Sequence, residues 1–254
     1  MNHKMPWQLR LSHKGSSHIQ MEWNGKKFHF DPSHPVEDGE VVILLWNWPQ
    51  RIQATVKSLR SGKRLIVIAP QVALDWLSQY GTFEGYSNNC VISDIEFELT
   101  PYEPIPPLTL SELANKVKGG IRNGITVAKQ IYRKRGMPRF QPHICQVTFP
   151  NGSRLLHLNL SLHKYTSIDW FSAQKNALPN INWAIVGCDY RHDEAMLQLI
   201  HKLPIDKILL TDLIGDARRN VGMPVQLLTP IADKAITQNL EVYVFAPHVS
   251  FRFD

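Results

Sequence analysis

The chain has 254 residues, 43% of them hydrophobic and 20% charged, which is ordinary for a globular protein with a packed core. No apolar run approaches the roughly 20 residues that span a bilayer, and no apolar signal core is present, so we expect a cytoplasmic protein without a transmembrane segment. Three widely spaced cysteines argue against a disulfide framework and a CxxC zinc site. The net charge of +6 favours an anionic partner or ligand.

The first hundred residues predict the order hairpin, strand, helix, strand, helix, strand. Asn24-Gly25 predicts a two-residue hairpin turn, because both residues tolerate positive φ. The continuous apolar run Val41 to Leu45 predicts a strand that is buried on both faces. The predicted strands are 7–11, 18–23, 26–30, 41–45, 64–69 and 91–99, and the predicted helices are 51–59 and 71–80.

The second half has a similar order and follows a proline-rich linker (100–107) and a long amphipathic helical pattern (111–135). Its predicted strands are 143–149, 154–162, 183–187, 207–211 and 241–245, and its predicted helices are 168–178, 191–202, 214–221 and 231–239. Two β-α halves, about 1–100 and 143–254, packed sheet to sheet would form a four-layer αββα sandwich. We therefore predict a single α/β domain over 1–254 with a helical insertion near residues 108–136.

Several sequence segments, together with their order along the chain, resemble those of the metallo-β-lactamase fold superfamily, and most closely its lactonase-like and phospholipase-like branches. The segments are His13 to His18 (HKGSSH), Asn24-Gly25, Asp31-Pro32, Asn151 to Leu158 (NGSRLLHL) and the strand-helix-strand pattern from Trp183 to Leu210. The resemblance covers most of the chain except about residues 100–142. It implies the αββα sandwich and places a metal site after the buried strand.

That family carries the metal motif HxHxDH at the end of the buried strand, where this chain reads VVILLWNWPQR (41–51). The resemblance puts the motif at Trp46, Trp48, Gln50 and Arg51, the bridging aspartate near Asn159 or Ser161, and the last histidine near Asp212. Zinc takes imidazole, carboxylate or thiolate donors, so the usual site is degenerate. Arg51 would place a permanent cation where the metal lies in the family. The sequence therefore predicts no metal cofactor.

Two other catalytic arrangements remain open. A relocated zinc site would draw on His157, Asp189, His192 and Asp212, from a wider set that includes His163, Asp193, Asp216 and His248. The simpler interpretation is that Asp189 caps the helix that follows it. A Ser-His-Asp hydrolase would use the Gly15-Ser16-Ser17-His18 turn, which lacks the GxSxG elbow and is also typical of an ordinary turn.

Charge is segregated in the middle of the chain. No Asp or Glu occurs from Leu113 to Ile168, whereas the basic segment Lys116 to Arg139 is rich in Lys and Arg. A basic amphipathic helix is typical of a surface that binds a polyanion such as phospholipid, nucleic acid or an acidic protein face. The alternative is a solvated helix whose charges pair elsewhere on the fold. The sequence also leaves a homo-oligomer open.

Two functional hypotheses follow. The first is a metal-free ligand-binding or regulatory protein whose pocket is floored by Trp46, Trp48 and Arg51 and holds an anionic or aromatic ligand. Its ligand-binding residues would be Trp46, Trp48, Gln50, Arg51, Asn159 and Asp212. The second is a zinc-dependent hydrolase of a phosphorylated, ester or lactone small molecule, with non-standard ligands. The fold is hydrolase-like and the zinc motif is absent, so the sequence leaves open whether the protein is an enzyme.

Overall fold

The computed structural model describes residues 9–15, 18–47, 49–102, 136–158, 180–188, 197, 201, 204–212, 227–237 and 240–253. The strands are β1 Arg10–His13, β2 Ile19–Trp23, β3 Lys26–Phe30, β4 Val41–Ile43, β5 Leu65–Ile68, β6 Phe83–Tyr86, β7 Asn89–Ile92, β8 Ile95–Pro101, β9 His143–Thr148, β10 Arg154–Leu158, β11 Ile181–Gly187, β12 Ile205–Thr211, β13 Glu241–Val244 and β14 Ser250–Arg252. The helices are α1 Pro49–Arg60, α2 Gln71–Leu77 and α3 Leu228–Thr237.

The strands form two seven-stranded mixed sheets with matching architecture. The first sheet has the order β14-β1-β2-β3-β4-β5-β6, and the second has the order β13-β12-β11-β10-β9-β8-β7. In the first sheet, β14 to β3 pair antiparallel and β3 to β6 pair parallel. In the second, β7 to β10 pair antiparallel and β10 to β13 pair parallel. The chain exchanges strands between its halves, because β7 and β8 join the second sheet and β14 joins the first.

Three apolar clusters show how the layers stack. The largest lies between the sheets and contains inward-facing residues of both, such as Phe28 and Phe97, whose rings stack with centroids 5.2 Å apart. A second cluster packs α1 and α2 on the outer face of the first sheet, and a third packs α3 on the outer face of the second sheet. This arrangement is the predicted αββα sandwich.

The segment Val41 to Leu45 lies where the sequence predicted. β4 pairs with β3 on one side and β5 on the other, so it is a central strand of the first sheet. All five residues are fully buried, because their side chains alternate between the inter-sheet core and the helix-covered face. The Asn24-Gly25 turn is also confirmed, with φ of 48° and 75° joining β2 to β3.

Two predictions about strands were wrong. The single strand over 91–99 is two strands, β7 and β8, because Ser93 and Asp94 both have positive φ and reverse the chain. Short polar residues tolerate positive φ, so the chain can turn here although the alternation of apolar residues in the sequence is not interrupted. The strand predicted at 241–245 is not the last one, since β14 follows and pairs antiparallel with β1. β6, an edge strand of the first sheet, was not predicted.

Several predictions fall outside the described residues: the insertion helix from 111 to 135, and the helices at 168–178, 191–202 and 214–221, of which only Leu197 and His201 are described. Within the described part of the chain, no helix is long and apolar enough to cross a membrane.

Candidate functional site

Asp31 fixes the corner where the first sheet ends. It follows β3, has φ of 44°, and its amide donates to the Ile43 carbonyl at 2.9 Å. Its Oδ1 accepts hydrogen bonds from the amides of Leu45 at 2.9 Å and Trp46 at 3.4 Å. The Asp31 side chain therefore holds the backbone at the end of the buried strand, at the position that the resemblance assigns to the start of the metal motif.

Arg51 lies in the first turns of α1 and is buried, with 3% of its surface exposed. Burial raises the pKa of Asp31 to about 6, while the Leu45 hydrogen bond and the Arg51 charge oppose that rise. The same guanidinium helps to lower the pKa of His18. A buried permanent cation thus sits within electrostatic reach of a buried carboxyl and a buried imidazole.

The structure brings together some of the predicted site residues. Trp46 is half-buried and packs against the inter-sheet core, Gln50 is exposed on α1, and Arg51 is buried beside the corner. Asp212 directly follows β12 and is buried, with 7% of its surface exposed. Trp48 and Asn159 lie outside the described residues, so their part in a shared site remains a prediction.

A chain of hydrogen-bonded polar side chains starts on the outer face of the first sheet. His18 Nε2 and His29 Nδ1 are 2.9 Å apart, and His29 Nε2 lies 3.0 Å from Glu40 Oε2. His18 Nδ1 is 3.4 Å from the Ser33 hydroxyl, which is 2.9 Å from His34 Nδ1. We call these five residues the histidine chain. It connects the half-buried Glu40 carboxylate to an exposed loop.

Charge in the histidine chain is concentrated at its Glu40 end. Burial raises the pKa of Glu40, but the Glu37 amide, His29 and Lys27 outweigh that effect and hold the pKa below its usual value. Lys27 Nζ lies 3.2 Å from Glu40 Oε1. Burial lowers the pKa of His29 and lowers that of His18 to about 2. At neutral pH, Glu40 is therefore an anion and both buried imidazoles are neutral.

The histidine chain borders a pocket of about 300 Å³ between the loop after β3 and helix α1. The residues that line it are Ser33, His34, Pro35, Gln50, Gln53, Ala54 and Lys57. The four helical residues are spaced at i, i+3, i+4 and i+7, so they share one face of α1. The loop is held against the helix by a 2.8 Å hydrogen bond from the Val36 amide to Ser58 Oγ.

The residues suggested for a relocated metal site are only partly described. His157 lies in β10, stacks on Phe30 with ring centroids 5.0 Å apart, and is 1% exposed. Within the described part of the chain neither of its ring nitrogens has a hydrogen-bond partner. Asp189 and His192 lie outside the described residues, and among those described no group of three His, Cys, Asp or Glu side chains is arranged to hold a metal.

The sequence did contain a signal for the histidine chain. The two-residue turn pairs Gln20 with His29, so His18 is a diagonal neighbour of His29 on the same face. The parallel pairing of His29 with Val42 likewise makes Glu40 a diagonal neighbour. Register analysis of the predicted strands could have found these three residues. Ser33, His34 and Lys57 depend on how the loop packs on α1, which no local pattern predicts.

No known family profile matches the chain, and no curated protein matches it in sequence. Several solved structures are similar to it in fold. Igni18, a metallo hydrolase from the archaeon Ignicoccus hospitalis, is 14% identical with a TM-score of 0.60, over 97% of this chain and 99% of that chain. An isothiocyanate hydrolase from Delia radicum gut bacteria is 9% identical with a TM-score of 0.62, over 96% and 99%. A possible metal-dependent hydrolase from Veillonella parvula is 10% identical with a TM-score of 0.57, over 97% and 100%.

These similarities extend over nearly the full length of each chain. The sequence identities of 9–14% are so low that the comparison shows a shared fold and nothing about function. The chain has the α/β sandwich of the metallo-β-lactamase fold. The predicted fold is thereby confirmed. Function has to be argued from the side chains at the site, since one fold supports many activities.

Proposed function

We propose that this protein is a metal-independent ligand-binding or regulatory protein that uses the metallo-β-lactamase fold to hold a small anion. The ligand would enter at the corner formed by the end of β4, the loop after β3 and the start of α1. The buried guanidinium of Arg51 is the observation that carries the proposal.

The charge of Arg51 supports an anionic ligand. An arginine remains protonated at any pH at which the protein folds, so it supplies a fixed positive potential. A divalent cation placed beside it would meet like-charge repulsion in a region of low dielectric constant. A ligand that carries negative charge would gain from the same potential.

The described side chains at the motif positions do not fit zinc. Trp46 offers an indole, Gln50 a neutral amide and Arg51 a cation, and zinc sites are built from imidazole, thiolate and carboxylate. The Asp31 carboxyl at this corner already accepts hydrogen bonds from the amides of Leu45 and Trp46. We therefore derive no chemical step through a metal at this corner.

Metal analysis of the purified protein tests the proposal. Cells are grown with added zinc and iron, and the protein is analysed by emission spectrometry after gel filtration. We expect far less than one metal ion per chain. The matched control is the variant W46H/W48H/Q50D/R51H, which restores the donors of the motif and should retain zinc. Stoichiometric zinc or iron in the wild-type protein would refute the proposal and favour the alternative, a metal-dependent hydrolase with non-standard ligands.

A further inference from the structure

The pocket beside the histidine chain has the lining of an anion site. Lys57 contributes an ammonium group, and Gln50 and Gln53 contribute amide groups from the same helical face. None of the residues that line the pocket is an Asp or Glu. Lys57 has three N–H donors and each glutamine has two, which suits a group with several acceptor oxygens. Gln50 also lies in the first turn of α1, where the helix dipole favours negative charge.

The histidine chain sets the direction of its own hydrogen bonds. Glu40 is ionised and can only accept, so His29 carries its proton on Nε2. Because His29 is neutral, its Nδ1 is then an acceptor, and His18 must donate to it from Nε2. The Nδ1 of the neutral His18 ring is left as an acceptor. One carboxylate thereby fixes the tautomers of two buried histidines.

This direction determines what Ser33 offers to the pocket. Its single hydroxyl proton can go to His18 Nδ1, at an O···N distance of 3.4 Å, or to His34 Nδ1, at 2.9 Å. In both arrangements the proton is used within the histidine chain. A hydroxyl oxygen has two lone pairs, so in either case at least one is left to receive a donor from a ligand. Ser33 therefore acts toward the pocket as an acceptor.

We infer that the pocket binds a small polyol phosphate, a ligand with an anionic group at one end and free hydroxyl groups at the other. Lys57, Gln50 and Gln53 hold the phosphate oxygens. Ser33 accepts a hydrogen bond from a ligand hydroxyl. The pocket volume of about 300 Å³ is at the lower end of the range for small-molecule sites, which suits a short polyol. The inference rests on the proposed function and specifies its ligand.

Isothermal titration calorimetry on the full chain tests the inference, with glycerol 3-phosphate, inorganic phosphate, glycerate and glycerol as probes. We expect glycerol 3-phosphate to bind with a Kd of roughly 1 mM or tighter. Lys57→Gln should weaken this binding at least about tenfold, because a charge-assisted contact is lost. Lys26→Gln is the matched control, since it removes the same charge from a residue that does not line the pocket. Its Kd should equal that of the wild type.

Ser33→Ala separates the two ends of the ligand. It should weaken glycerol 3-phosphate roughly three- to tenfold and leave inorganic phosphate unchanged. If glycerate binds more tightly than glycerol 3-phosphate, or if Lys57→Gln has no effect, the inference is wrong. Nitrogen-15 NMR of the imidazoles checks the tautomers independently: His29 and His18 protonated on Nε2 support the inference, and the opposite assignment overturns it.

The outcomes also separate this inference from the proposed function. A metal-free protein that binds none of the four probes retains the proposed function and loses the inference. A protein with stoichiometric metal loses the proposed function. In that case the titrations are repeated after chelation, and the effect of Lys57→Gln still decides whether the pocket holds the phosphate.

Discussion

Replacing His157 with leucine should stabilise the protein. The imidazole is 1% exposed, and within the described part of the chain both of its nitrogens lack a hydrogen-bond partner. A buried polar group without a partner costs about 1–3 kcal/mol. His157→Leu removes two such groups and loses the stacking on Phe30, which contributes about 0.5–1.5 kcal/mol. Two such penalties outweigh the lost stacking, so we expect the free energy of unfolding to rise by about 1–5 kcal/mol at pH 8.

The gain should be larger in mild acid. Burial lowers the pKa of His157 from 6.5 to about 3, so between these values the unfolded chain binds a proton that the native protein does not. Wild-type stability therefore falls as the pH drops below 6.5, and the decline from this residue ends near pH 3. At pH 5 the difference amounts to about 2 kcal/mol, at 1.36 kcal/mol for each pKa unit. Leucine does not titrate, so its advantage over histidine should grow by this amount.

Urea unfolding at pH 8 and pH 5, followed by tryptophan fluorescence, measures both effects. His157→Gln is the matched control. Glutamine cannot titrate but still buries polar atoms, so it should show the reduced pH dependence without the gain at pH 8. If His157→Leu lowers stability at both pH values, the imidazole makes a stabilising contact, as it would in a relocated metal site. Equal gains at the two pH values would refute the assignment of a buried neutral ring.

Three further predictions concern acid stability, the corner and the basic segment. The free energy of unfolding should fall as the pH drops below 6.5, by about 1.4 kcal/mol per pH unit around pH 5, because the lowered pKa values of His18 and His157 outweigh the raised pKa of Asp31. Urea unfolding at several pH values measures this, and a free energy that does not change with pH would contradict it. Asp31→Asn should stabilise by up to about 3 kcal/mol at pH 8, by about half of that at pH 5 and hardly at all below pH 3.8, because burial raises the pKa of Asp31 from 3.8 to about 6 and the unfolded carboxyl is still ionised at pH 5. A loss at pH 8 in thermal or urea unfolding would contradict this. The basic segment lies almost entirely outside the described residues. Replacing four of its residues by Gln should abolish salt-sensitive retention on heparin without changing Tm; the four are Lys129, Arg133, Lys134 and Arg135. Unchanged retention would refute the polyanion hypothesis.

The fold was predictable from the sequence because its strongest signals are local. The apolar run Val41 to Leu45 can only be satisfied by burial on both faces, and the structure places it in the middle of a sheet. The Asn24-Gly25 turn fixes the register of β2 and β3 through backbone conformation alone. Both predictions depend on a few adjacent residues, and the structure confirms both.

The errors arose where local pattern and tertiary structure diverge. The alternation in 91–99 continues across the Ser93-Asp94 turn, so periodicity could not reveal that the chain reverses there. β14 has only three residues, and none of them is fully buried. It is a strand because it pairs with β1 at the edge of the first sheet. Pairing between the two ends of a chain leaves no trace in local sequence.

The candidate site, too, was predictable only in part. The resemblance to a metal-binding family predicts a site after β4, and Gln50 and Arg51 lie there, in the first turn of α1. The polar groups that can act on a ligand extend further, into the loop that carries Ser33 and His34. That loop is positioned by Asp31 on one side and by the Val36–Ser58 hydrogen bond on the other.

Hydrogen bonds connect the strands and the loop at this corner. Asp31 joins the end of β3 to the end of β4, and the histidine chain joins β2, β3 and the residue before β4. Under the proposed function, these connections hold the corner together, and the buried Arg51 cation beside it supplies the positive potential that recognition of an anion requires.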